Sequence, residues 1–546
     1  MKKYTILFIA LILGAFLRLW QVSNIPNGLT WDEAAIGYNA FSILKTGRDE
    51  HGAFLPLIFE SFGDYKPGAY IYLTVPSVAI FGLNELAVRF PSVLAGLLAI
   101  FGVYLFTKEL FKDTKSEFGP WDLAALALAT SPWHVHFSRG GWEVNVFCTL
   151  LIFGLYFFLR FIKRKSSIYP SLLFACLSLA MYQAAKLLTP LVFLLFIVIY
   201  WKEFWKNISG YFVPKKILLI LPFVIFGIWI FWGSMFGSSG NRLNTLSIFN
   251  YKPGVSEETK MIDGQNSIQT LLFHNQTQLT TSLVLSRYLW HFSPEVLFFE
   301  GPIISERGHI PSLGVLNPLE IIWLSLGVIF LVKIGIDRKA SLILGLLLIS
   351  PIPASLTLAE FSTVRALFMT IPLSIISGLG IFYCLKNFKY LSIPLIFLYA
   401  LITVYVYDVY FFHSQTVFAK EFNYGYKQAV QIIKDNPTKK VVFTDVLGQP
   451  YIYYVFYTAY DPATYQNNID FISGGFDVGR VGHVGNVEFH QFSIDDINTA
   501  KDVLFIGSIG NIPNQINFTS PNVDLYEQID TPNYPGVIFR VVKTKP

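Results

Sequence analysis

Apolar runs long enough to cross a bilayer as helices, about twenty residues each, recur along the 546-residue chain. The first reaches to about residue 20 behind Met1-Lys2-Lys3, and others lie near 88–106, 123–137, 144–161, 169–185, 187–200, 217–235, 319–332, 342–358, 366–385 and 391–411. The first run ends in Arg18-Leu19-Trp20-Gln21 with no small-residue cleavage site, so it reads as a transmembrane helix rather than a signal peptide. The stretch 69–81 is shorter and reads as an interfacial segment or one that enters partway. Two polar stretches interrupt the series: a first external loop over 23–67, rich in Gly, Pro and aromatic residues, and a long external segment over 236–311. From about residue 415 the pattern changes. Residues 418–436 predict an amphipathic helix, and 440–444, 503–507 and 537–542 predict strands between turn residues. The pattern as a whole predicts a polytopic α-helical membrane protein with about eleven transmembrane helices over 1–414, followed by an extracytoplasmic α/β domain over 415–546.

Composition agrees with that reading and narrows the function class. With 53% hydrophobic, 17% aromatic and 14% charged residues, and a mean hydropathy of +0.49, the chain is too apolar for a soluble enzyme of this length. Lys108, Lys112, Lys115, Lys163-Arg164-Lys165, Lys202, Lys206, Lys215, Lys216, Lys333, Arg338, Lys339 and Lys386 fall in alternate short loops. The positive-inside bias then puts the N-terminus in the cytoplasm and the C-terminal domain outside a multi-pass cell membrane protein. The net charge of +5 needs no nucleic-acid partner. Cys148, Cys176 and Cys384 sit inside apolar runs, which indicates neither disulfides nor a thiolate metal site. Neither a Walker loop nor a Gly-rich dinucleotide turn is present.

Under this topology the unusual polar residues gather on the outer side. Asp32, Glu33 and Lys66 lie in the first external loop; Arg139 and Glu143 flank the turn Gly140-Gly141-Trp142; Lys186 ends one apolar run; Arg307 and His309 lie before Pro311; Arg365 follows Ser362-Thr363-Val364. Each has a plain alternative. Asp32 and Glu33 suit the first turn of a helix capped by Thr30, and Arg139, Lys186 and Arg365 suit snorkelling to headgroups. Glu143 suits an i,i+4 pair with Arg139, and His309 suits a loop. Several cations at external helix ends nevertheless run against the inside bias and together favour a bound anion, such as a lipid phosphate. Carboxylates beside such an anion suit glycosyl transfer from a lipid-phosphate sugar, with one carboxylate taking the proton of an acceptor hydroxyl and cations stabilising the departing phosphate.

Trp31-Asp32-Glu33-Ala34, Asp64-Tyr65-Lys66-Pro67-Gly68-Ala69-Tyr70-Ile71-Tyr72 and Gly82-Leu83-Asn84-Glu85-Leu86-Ala87-Val88-Arg89-Phe90-Pro91-Ser92 together resemble glycosyltransferase family 39. That family includes the protein O-mannosyltransferases and the lipid A aminoarabinose transferase, within the glycosyltransferase C superfamily. The resemblance continues through 307–311 and 351–357 and fades in the tail. It implies an inverting transferase that uses a polyprenyl-phosphate sugar, Asp32 as base with Glu33 as its acidic neighbour, and Lys66 facing the lipid phosphate. Gly68 stands where relatives carry the second proline of a Lys-Pro-Pro motif, a change expected to loosen the loop. Glu143 matches a second acidic position that is often Asp in relatives. Arg139, Lys186, Arg307, His309 and Arg365 are expected as phosphate or sugar contacts. Relatives differ in their use of a divalent metal, and no metal-ligand spacing stands out here.

The expected partners are a polyprenyl-phosphate sugar, membrane lipids, and an acceptor that is a protein, a glycolipid or a polysaccharide. Two other classes compete. A transporter or flippase of lipid-linked sugars calls for midplane charges and paired inverted halves, whereas the charges here collect at one surface. A non-catalytic, membrane-anchored glycan-binding protein does not need about eleven spans.

Overall fold

The computed structural model describes residues 4–112, 118–236, 247–250, 261–262, 268–273, 275–302, 306–472, 474, 478–513, 523–533 and 536–546. Lys115 and parts of the segment 236–311 lie outside the described residues. Contacts divide the chain into two compact units. One comprises Met1–Leu17, Ala95–Phe137 and Glu143–Tyr407; the other comprises Arg18–Leu94, Ser138–Trp142 and Asp408–Pro546.

The first unit is helical. Over the described residues of the whole chain, five helices are long and apolar enough to cross a membrane: Glu85–Leu110, Glu143–Arg164, Arg338–Ser355, Leu367–Asn387 and Lys389–His413. A sixth arises if Ala185–Ile199 and Trp201–Tyr211, bent by 98° at their junction, make one span. The expected run 123–137 forms two helices, Pro120–Thr130 and Pro132–Ser138. Pro132 has no N–H to carry the ladder on, and the residue before a proline disfavours helical ψ; Ser131 accordingly lies at φ −65°, ψ 117°. Ala69–Phe81 has 13 residues, a rise of about 20 Å, which is too short to span.

The span window of Leu367–Asn387 is wholly buried, whereas that of Lys389–His413 is 22% buried. Glycines allow this central packing. A Cβ at Gly378 would lie 2.4 Å from the Ala124 nitrogen, and one at Gly380 would lie 1.9 Å from the Trp323 carbonyl oxygen. The neighbouring helices therefore touch backbone to backbone, the close approach that small residues permit in membrane bundles.

The second unit joins the polar stretch after the first helix to the tail. Strands β1 (Ile58–Ser61) and β2 (Asp64–Pro67) form an antiparallel hairpin. Both residues of its two-residue turn, Phe62 and Gly63, have positive φ, 59° and 79°, as a primed turn matched to strand twist requires. The tail contributes β3 (Lys440–Phe443), β4 (Phe471–Ile472), β5 (Arg480–Val481), β6 (His483–Val484), β7 (Val487–Phe489), β8 (Val503–Gly507), β9 (Val523–Asp530) and β10 (Val537–Thr544). Six of these make one sheet in the order β6-β7-β3-β8-β10-β9, parallel across β7-β3-β8 and antiparallel elsewhere.

The helix expected over 418–436 is two helices, Gln415–Glu421 and Tyr426–Asp435. Asn423 and Gly425 between them take φ of 52° and 101°, which ends the first helix and restarts the second. Tyr426, Ala429, Val430 and Ile433 bury one face of the second helix in a core with Val441, Phe443, Leu504, Ile506, Phe539 and Val541. That core also takes in Ala34, Ala35 and Tyr38 of the helix Trp31–Thr46. At Gly37 a Cβ would lie 2.4 Å from the Phe456 ring. The helix Trp31–Thr46 and the tail therefore share one hydrophobic core.

Candidate active site

The helix Trp31–Thr46 starts where it does because Thr30 and Glu33 cap each other. The Thr30 hydroxyl accepts from the Glu33 backbone N–H at 3.2 Å, and the Thr30 N–H donates to Glu33 Oε2 at 3.0 Å. This reciprocal capping box satisfies two donors at the helix end, and Gly47 at φ 69° closes the other end.

Glu33 does more than cap. Its Oε1 accepts from Arg89 Nε at 3.0 Å and from the Gly141 N–H at 2.9 Å, and its side chain is only 2% exposed. Arg89, fully buried, donates further to the carbonyls of Val22 at 2.7 Å, Pro26 at 3.0 Å and Gly28. A guanidinium has five donors in a fixed fork, and Arg89 uses it to gather the chain ahead of the helix. One carboxylate and one guanidinium thus join residues 22–33, the start of Glu85–Leu110 and the loop Ser138–Trp142. A Cβ at Gly141 would come within 3.1 Å of Glu33 Cγ and of Val88 Cγ1, which is why a glycine suits that loop.

Asp32, one residue earlier, points elsewhere. Its carboxylate pairs with the Lys66 ammonium, and the two side chains remain 35% and 19% exposed. Lys66 is carried on β2, opposite Phe59, and its ammonium also lies 5.7 Å from the centre of the Phe62 ring. The loop after it is tight rather than loose, which corrects the expectation for Gly68. The Gly68 N–H donates to the Leu57 carbonyl at 3.0 Å, and a Cβ there would fall 2.3 Å from the Phe59 ring. A second proline would lose that bond and meet the ring.

Arg139 is also in the second unit and is fully buried. Its Nη2 donates to the carbonyls of Trp20 at 2.8 Å and Ile25 at 2.9 Å, and its guanidinium lies 4.9 Å from the Phe411 ring centre. In this arrangement it fastens the chain ahead of residue 30.

The remaining expected residues belong to the helical unit. Glu143 is the first residue of Glu143–Arg164 and is half-buried. Lys186 donates to the Gln183 side chain and lines an otherwise apolar cavity of about 390 Å³ with Leu179, Pro190, Phe223, Ile228 and Trp232. Arg307, His309 and Arg365 lie on two loops that meet. A Cβ at Gly308 would fall 2.1 Å from Thr363 Oγ1, His136 Nε2 bonds the Arg307 carbonyl at 2.8 Å, and Trp133 Nε1 donates to the Thr363 carbonyl at 3.1 Å. The His309 ring is buried beside Gly301, and Arg365 Nη1 lies 3.4 Å from Ser362 Oγ. Among the described residues no three or more His, Cys, Asp or Glu side chains form a metal-holding group.

Beyond the site, Asp49 and Glu50, after the helix Trp31–Thr46, are both raised above the ordinary carboxylate range by burial. Glu50 Oε1 accepts from Asn39 Nδ2 at 2.8 Å.

A family match points the same way as the resemblance read from the sequence. Residues 66–232, under a third of the chain, match the family described as dolichyl-phosphate-mannose-protein mannosyltransferase. No curated relative matches the sequence. Among solved structures, ArnT from Cupriavidus metallidurans bound to undecaprenyl phosphate is similar at 10% identity and a TM-score of 0.48, over 98% of this chain and 97% of that one. The archaeal oligosaccharyltransferase AglB from Archaeoglobus fulgidus, in complex with an inhibitory peptide and a dolichol-phosphate, is similar at 11% identity and a TM-score of 0.46, over 83% of this chain. The chain spans 63% of the length of that oligosaccharyltransferase.

Proposed function

We propose that this protein is an inverting glycosyltransferase that moves a sugar from a polyprenyl-phosphate donor to an acceptor hydroxyl at the extracytoplasmic membrane face. The observation that carries the reading is the partly exposed Asp32–Lys66 pair, held on a capped helix and a hairpin beside a fully bonded Glu33. The family match, which begins at Lys66, supports it.

In this reading an anionic phosphodiester draws the Lys66 ammonium toward itself. Asp32 then regains its capacity to accept a proton. It takes the acceptor hydroxyl's proton as that oxygen attacks the anomeric carbon; the bond from the anomeric carbon to the phosphate oxygen breaks with inversion, and Lys66 stabilises the charge left on the phosphate. Glu33 acts by positioning: it holds the backbone of Asp32 through the cap and through Arg89. Arg139 supports the same segment. Glu143 is proposed as a second acidic residue, and Lys186, Arg307, His309 and Arg365 as contacts to the donor's phosphate or sugar. Residues 1–414 are proposed as the transmembrane transferase domain and 415–546 as the extracytoplasmic domain.

The test is release of undecaprenyl phosphate from undecaprenyl-phosphate sugars by the purified protein in proteoliposomes, for the wild type and for Asp32→Asn. Transfer by the wild type that disappears in a folded Asp32→Asn protein supports the reading; an Asp32→Asn protein that transfers normally removes the proposed base.

A further inference from the structure

The second unit contains a cleft of about 520 Å³. Trp31, the residue before Asp32, and Phe62, whose ring faces the Lys66 ammonium, form part of its wall. The polar part of the wall comes from the tail: Asp445 and Gln449 after β3, Arg480 on β5, and Gln491 after β7. Asp445 is nine-tenths buried, and its Oδ2 accepts from Arg480 Nη1 at 3.1 Å. Its Oδ1 has no hydrogen-bond partner among the described residues. Arg480 is exposed over about half of its side chain, so most of its five donors are available beyond that bond.

The chemistry of this wall selects a ligand class. The half-buried Trp31 ring offers an apolar face with a negative quadrupole, to which the C–H face of a sugar ring is complementary. A carboxylate accepts only, a guanidinium donates only, and two carboxamides do both; together they match a ring bearing hydroxyls, each of which donates and accepts. A lipid tail has no use for this half-buried ion pair, and the volume lies within the range of small-molecule sites.

We propose that this cleft is the acceptor subsite and that the acceptor is a saccharide. Its ring stacks on Trp31, its hydroxyls bond Asp445, Arg480, Gln449 and Gln491, and a further hydroxyl is directed to Asp32. Trp31 and Asp32 are adjacent in the chain, with Cα atoms about 3.8 Å apart, so the cleft wall and the proposed base share the first turn of one helix. This proposal rests on the glycosyltransferase reading above and adds the substrate class.

The full-length protein in nanodiscs tests it, with three probes in equilibrium binding: a panel of mannose, glucose, galactose and rhamnose trisaccharides, a Ser/Thr-rich peptide, and undecaprenyl phosphate. The expected result is that at least one trisaccharide binds. Arg480→Ala and Trp31→Ala weaken that binding by about tenfold or more, as loss of a charged hydrogen bond or of a stacked ring implies. Gln491→Trp, at an exposed position, blocks it, and Trp31→Phe retains it. Undecaprenyl phosphate binding is unchanged in Arg480→Ala and Gln491→Trp. Should no trisaccharide bind, should binding ignore Arg480→Ala and Gln491→Trp, or should the peptide be the probe those variants lose, the saccharide subsite is overturned. Lysine-dependent binding of undecaprenyl phosphate at Lys66 then leaves the donor-site reading standing, whereas its absence in the wild type overturns that reading as well.

Discussion

Asp32→Asn and Glu33→Gln are the same chemical change at adjacent positions, an oxygen exchanged for an amide nitrogen at constant size, and the roles proposed for the two residues give them opposite consequences. The Asp32–Lys66 pair keeps 35% and 19% of its side chains in solvent. Pairs this wet contribute on the order of 0.2–1 kcal/mol, so Asp32→Asn costs at most about 1 kcal/mol of stability. Glu33 is 2% exposed and faces a fully buried Arg89. Replacing its charge leaves a guanidinium buried without a counter-ion and turns an NH₂ group toward the Gly141 or Thr30 N–H. Breaking a buried pair in this way costs about 3–5 kcal/mol, a large share of the roughly 5–15 kcal/mol that holds a domain folded. For activity the order reverses. With Asp32 as the proposed general base, whose loss lowers turnover by about 10²–10⁴, Asp32→Asn is expected to lose transfer by that factor while Glu33→Gln retains transfer in its folded fraction. Thermal unfolding of the detergent-solubilised proteins, read beside undecaprenyl phosphate release at a temperature where both variants are folded, measures the two effects separately. Equal destabilisation by the two changes, or wild-type turnover by Asp32→Asn, would refute the division of roles.

Three further outcomes follow from the same geometry. Lys66→Ala weakens binding of the lipid-phosphate donor more than that of the acceptor, measured by titrating each at saturating levels of the other; equal loss contradicts a phosphate-facing role. Gly68→Pro removes the bond to the Leu57 carbonyl and forces ring against ring at Phe59, an overpacking cost of about 1–3 kcal/mol. It lowers the melting temperature and the donor affinity together, despite restoring the Lys-Pro-Pro pattern, and an unchanged melting temperature contradicts the tight packing. Burial raises Glu50 above its ordinary value of 4.5, so the folded state favours its protonated form. The stability it contributes is complete below about pH 4.5 and is lost as pH rises through the raised value. Asp49 shifts in the same direction. Glu50→Gln therefore flattens the fall in melting temperature above about pH 4.5, and a parallel pH profile for the two proteins contradicts it.

The linear pattern of apolar runs was enough to determine that this is a multi-pass helical chain with an α/β tail, because a bilayer demands continuous apolar length and a half-buried strand demands alternation, and both are visible in one dimension. It also located Asp32, Glu33 and Lys66 in the first polar stretch after the first apolar run. Tertiary structure decided what each does. Asp32 and Glu33 are indistinguishable as letters, but consecutive residues on a helix face about 100° apart, and only the neighbours show that one meets Lys66 and the other Arg89. Arg89 read as part of a motif at the start of an apolar helix, and nothing local reveals that it collects three carbonyls from residues 22–28. Pro132 and the Asn423–Gly425 break divided elements that periodicity had joined, since average hydrophobicity is blind to a single missing N–H or a positive φ. The cleft beside Trp31 is assembled from residues about four hundred positions apart in sequence, and proximity of that kind is a property of the folded chain, because it is set by a shared core and by no signal within either segment.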